Sequence, residues 1–135
     1  MANISDYLEE ALLNHVMRNT AYTSPVTVYV GIVSDVAVDA DLEAGTLTNE
    51  ITGYTGDRKA VTFGAPSQVT GKATITNSAD IDFESMPAVT VAYAIVCDAA
   101  TLGNILYWCP LSANKTTNSG DTFRIPASNL TLDLD

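Results

Sequence analysis

Downstream of residue 25 the apolar residues fall into an alternating pattern. Val26, Val28, Val30 and Ile32 are separated by Thr27, Tyr29 and Gly31. One face of that run is apolar and the other is not, as in a half-buried strand. The same signal returns in short pieces at 59–63, 73–76, 81–83, 105–109, 122–125 and 130–135, while 89–97 is apolar on both faces, as a central strand would be. Turn residues lie between the pieces, and Pro66, Pro87, Pro110 and Pro126 fall at their ends, where proline is tolerated. The expected fold is mainly β: an antiparallel β-sandwich or barrel of about eight short strands, with one N-terminal α-helix.

The helix is expected over 3–18. Ile4, Leu8, Ala11, Leu12, His15 and Val16 recur at helical spacing and form one face. Asn3 or Ser5 supplies a cap, and Asp6, Glu9 and Glu10 suit the positive end of the helix dipole. At this length the helix is not stable alone and has to pack on its own sheet or on a neighbour. With 135 residues the chain has the size of one domain. The expected division is a helix at 3–18 and a β domain at 26–135, interrupted by a long surface loop at 34–55 that has no clear period. Loops of that length in compact domains are often functional.

Six Lys and Arg stand against sixteen Asp and Glu, a net charge of −10. That balance excludes nucleic acid as a partner, since phosphate contacts need a basic surface, and disfavours anionic membranes. No run approaches the ~18 apolar residues of a membrane helix, and the first residues lack the basic and apolar blocks of a secretory signal. The chain is therefore expected to be made in the cytoplasm. Charged residues are only 16% of the total, against ~25% in an average soluble domain. Part of the surface is thus expected to be covered by protein partners.

Enzyme chemistry finds little support. The single histidine, His15, cannot build a His-rich metal site, and it reads as a packing or interface residue. Neither a nucleophile elbow, a P-loop nor a dinucleotide fingerprint is present. Asp35, Asp39, Asp41 and Glu43 supply carboxylates for calcium, but the EF-hand spacing fails and a solvated acidic loop is the expected state. Asp80 with Asp82 and Asp133 with Asp135 read as solvent faces of strands. Cys97 and Cys109 lie on a predicted hairpin. Cys97 would sit opposite about Ile105 and Cys109 opposite about Tyr93, which puts the sulfurs ~13 Å apart along the strand. Free, buried thiols are expected. No enzyme activity, cofactor or metal is expected.

Several blocks resemble a small structural protein of tailed bacteriophages: Met1 to Glu9, Leu12-Leu13-Asn14-His15-Val16, Thr20-Ala21-Tyr22, Val28-Tyr29-Val30, Arg58 to Pro66, Asn77-Ser78-Ala79-Asp80, and Gly120 to Ala127. They occur in order across the whole chain. Members of this family carry the labels tail fibre, head fibre or capsid decoration (cement) protein. This chain departs in having Gly53-Tyr54-Thr55-Gly56-Asp57 where members usually show a Gly-Gly-x-Tyr-like approach to the Arg58 region. The resemblance implies a virion structural protein, with capsid decoration as the expected role. In that role it would be a homotrimer on the capsid surface that binds and stabilises the shell of major capsid protein. The alternative is a tail fibre or tail-tip component that contacts the host receptor. The expected contact elements are the helix face and the 34–55 loop, with Ile4, Leu8, Leu12, His15, Asp41, Glu43 and Tyr54 as candidate interaction residues.

Overall fold

The computed structural model describes residues 2–135. In chain order the elements are β1 (Asn3–Ile4), α1 (Asp6–Met17), β2 (Val28–Ser34), α2 (Asp39–Glu43), β3 (Lys59–Val61), β4 (Ser67–Val69), β5 (Lys72–Thr76), β6 (Ile81–Met86), β7 (Val89–Cys97), β8 (Ile105–Thr117), β9 (Asp121–Ile125) and β10 (Thr131–Leu134). The fold is mainly β, with every strand pairing antiparallel. A five-stranded sheet runs in the order β1-β8-β7-β2-β3. Beside it lie a three-stranded sheet, β10-β5-β4, and the pair β6-β9. Among the described residues the sheets do not close into a barrel, which leaves the sandwich side of the expectation. No described helix is long and apolar enough to cross a membrane.

The five-stranded sheet is apolar on both faces because β7 is apolar at nearly every position. Val91, Ala94 and Val96 face a core shared with Val30, Ile32, Phe83 and Phe123, which joins the large sheet to the two smaller ones. Ile95 and Cys97 face the other way, onto Val33, Ala37, Leu42, Ile105 and Trp108. That second core lies under α2 and the loop around it, so the 34–55 excursion is tied down by Leu42, which is 1% exposed. The sequence shows no period there because one short helix is embedded in irregular chain. Arg58, 5% exposed, anchors the end of the excursion. It makes a two-pronged ion pair with Glu50 at 2.6 and 2.8 Å and donates to the carbonyls of Ala99 and Leu102.

Local chemistry explains the joins. The β4–β5 hairpin turns on Thr70 and Gly71, both at positive φ (50° and 86°), the mirror-image geometry that two-residue hairpins favour. Asn77 is fully buried. Its amide donates to the carbonyls of Ala79 and Pro126, and its Oδ1 accepts from the Leu130 amide, so one side chain fixes the approach to β10. Cys97 pairs with Ile105 as expected. Cys109 pairs with Ala94 rather than Tyr93, because the register shifts between Val96 and Cys97. Both cysteines are free.

Two sequence expectations are corrected at the N-terminus. The helix begins at Asp6, not residue 3, because Asn3 and Ile4 pair with Trp108 and Tyr107 as a short strand. Ile4 is thus not on the helix. Val16, assigned to the packed face, is 66% exposed.

Candidate interaction surface

The N-terminal arm is positioned by Ser5. Its backbone is extended (φ −81°, ψ 157°), as an N-cap requires, and its Oγ accepts from the Leu8 amide at 3.3 Å. The same Oγ donates to the Ile105 carbonyl at 2.5 Å, and the Ser5 amide donates to the Leu106 carbonyl. One buried hydroxyl therefore starts α1 and welds it to β8. Asp6 and Glu9 occupy the first turn, where carboxylates complement the helix dipole. At the other end the Arg18 amide donates to Asn14 O, and Asn19 turns the chain at φ 54°.

Seen along its axis, α1 has two faces. Leu8, Ala11 and Leu12 are half-buried on the side toward the sheet, yet no residue of the helix is fully buried. The outer side changes character along its length. It begins with Asp6, Glu9 and Glu10, all exposed, and ends with Leu13, Val16 and Met17, which are 63%, 66% and 75% exposed. Three large apolar side chains thus stand in water at one end of the helix.

The acidic start of α1 meets α2. Carboxylate oxygens of Asp6, Glu9 and Glu43 lie within 4.8 Å of one another. Glu9 and Glu43 border a shallow notch of about 480 Å³ that is also lined by Ile4, Asp39 and Trp108. Trp108 Nε1 donates to Glu43 Oε2 at 2.6 Å, and the Tyr93 hydroxyl donates to Asp39 Oδ1 at 3.0 Å. Burial, followed by this bond to Asp39, pushes the Tyr93 phenol above its ordinary pKa. Glu43 and Asp39 thus have structural partners in the aromatic pair Tyr93–Trp108, whose rings sit edge to face at 6.3 Å.

The structure brings Ile4 and Glu43 to this notch, with Leu8 on the adjoining helix. Leu12 lies one turn further along α1 and Asp41 is half-buried in α2. His15 is exposed near the helix end, its Nδ1 3.1 Å from the Thr20 carbonyl. Tyr54 is elsewhere: it is 8% exposed and packs edge-on to Phe83 at 5.0 Å in the main core. Burial raises its phenol to about 12. Tyr107, on the opposite face of β8 from Trp108, donates to the Asp133 carbonyl.

Sequence reading missed Leu13 and Met17, although a helical wheel places them opposite Leu8. It also missed Leu102, which is 78% exposed at φ 52° in the loop that Arg58 holds. Reactive groups are not gathered on this surface. Burial raises Cys97 to about 12 and pushes Cys109 up as well, so both thiols stay protonated at neutral pH. Asp80 and Asp82 both pair with Arg124, at 3.5 and 2.6 Å.

The sequence matches the family described as Podophage GP4 fiber I protein gp80 over residues 3–133. A search of curated proteins found no match. The match covers nearly the whole chain, so the chain belongs to this family of phage fibre proteins and is a virion structural protein.

Proposed function

We propose that the chain is a component of a virion fibre that works by self-association and docking. The observation that carries this reading is the outer face of α1. This twelve-residue helix has no buried side chain and leaves Leu13, Val16 and Met17 in water. In a member of a fibre family, such a face is suited to contact with siblings or with the next virion part. A homotrimer is the closed cyclic assembly that would suit a three-fold position in the virion. Three linked copies strengthen modest individual contacts to a symmetric partner. A structural role accords with the fibre family to which the chain belongs.

Capsid decoration is the second reading, on the virion surface and with the major capsid protein as partner. It is favoured by the absence of sequence repeats, because fibre shafts are usually built from them. In that role the acidic notch and the α1 face would lie against the shell. A quantitative gel of purified virions separates the two. A few copies per particle, in multiples of three, fit the fibre. Hundreds of copies fit decoration. Absence from the particle removes both.

A further inference from the structure

We propose that the N-terminal arm, β1 and α1, is exchanged between copies, each chain seating its arm on the β8 strand of its neighbour. This rests on the self-association proposed above and names the element that carries it. Two observations on the arm point the same way. Its attachment to the β domain is short and runs mainly along β8: the pairs Asn3–Trp108 and Ile4–Tyr107, the Ser5 bonds to Ile105 and Leu106, and the half-buried Leu8, Ala11 and Leu12, with Ala2 packed on the main core. Exchange preserves every one of these contacts, since the neighbour offers an identical β domain.

The tether comes next. Residues 18–27 contain no regular element and no buried side chain, only half-buried ones at Tyr22, Pro25 and Thr27. The hydrogen bonds of this tether run to α1 itself: Arg18 and Thr20 amides to Asn14 O, the Arg18 guanidinium to Asn14 Oδ1, and His15 Nδ1 to Thr20 O. Among the described residues none ties it to the β domain. Opened, it spans up to ~33–36 Å, enough to pass from one small domain to the next. Asn19 sits at φ 54°, a left-handed turn that opening would relax. A forward exchange is heterologous: each copy gives an arm on one side and receives one on the other, which is compatible with a closed ring such as the trimer proposed above.

The β1–β8 register supplies the test. Continued one step beyond Asn3–Trp108, the register sets Ala2 opposite the native Cys109, and both side chains pack on the same core. Cross-strand neighbours in an antiparallel pair lie ~4.5–5.5 Å apart, within disulfide reach. The Ala2→Cys protein is refolded from denaturant in the presence of copper–phenanthroline, so that Cys109 is accessible as the strands pair, beside the unmutated chain; it is then run on a non-reducing gel and its cross-linked peptides are mapped by mass. Exchange gives covalent dimers and trimers joined between Cys109 and the new cysteine. A bond confined within single chains overturns the exchange. If native mass still reports a trimer in that case, self-association stands without it. Failure to form either bond also overturns the proposal, because β1 is then not seated on any β8.

Discussion

Replacing Arg58 by methionine tests how the long excursion is held. The Arg58 and Glu50 side chains are 2% and 14% exposed, and the guanidinium donates twice to Glu50 and once each to the Ala99 and Leu102 carbonyls. Methionine fills most of the volume but provides no donor. A largely buried carboxylate is then left unpaired against Gly31, and the 98–104 loop loses its bonds to Arg58. Breaking a buried ion pair from one side costs about 3–5 kcal/mol. For a domain of this size that is a fall in melting temperature of roughly 10–20 °C. Removing both charges, as Arg58→Met with Glu50→Leu, takes away the stranded carboxylate, and the double variant should recover to within ~1–2 kcal/mol of the parent. Urea unfolding followed by the fluorescence of Trp108, the single tryptophan, measures all four corners of the cycle. A loss below ~1 kcal/mol for Arg58→Met, or a double variant no better than the single, would refute the view that this pair fastens the excursion to the sheet.

Three further outcomes follow from particular groups. Ser5→Ala removes both the α1 cap and the bond to Ile105, and should cost ~1–2 kcal/mol, with faster amide exchange confined to the first turns of α1. Asp82 is held below the ordinary carboxylate range by its hydrogen bonds to Arg124. Because the folded pKa is the lower one, its contribution is complete above the unfolded value and fades as pH falls through the folded value. Carboxyl titration by NMR should show a depressed midpoint that Arg124→Gln returns to normal. Cys97, at about 12, should resist a thiol reagent at pH 8 in the folded protein, as should the less strongly raised Cys109, and both should react at once in denaturant.

Much of the architecture was legible in the sequence because strand alternation depends on local spacing. The two-faced apolar run at 89–97 is the central β7, and the Cys97–Ile105 pairing follows from the length of the turn. What could not be read depends on distant partners. Asn3 and Ile4 fit a helical pattern, but the free edge of β8, a hundred residues away, takes them as a strand. Tyr54 looked available in a polar loop, yet Phe83 and the main core enclose it. On the interaction surface, spacing identified the face of Leu8 and Leu12 but wrongly added Val16. Which side of α1 meets water is decided by the sheet beneath it, which has no local trace at Leu13 or Met17.

The position of this chain in the particle is the most direct test of a role in the virion. Cryo-electron microscopy of the intact phage, with the fold fitted into the density, should find it at a fibre or on the shell, in contact with copies of itself, with α1 covered by a neighbouring chain. Particles that lack this density, or that carry isolated copies with α1 facing open solvent, would contradict it.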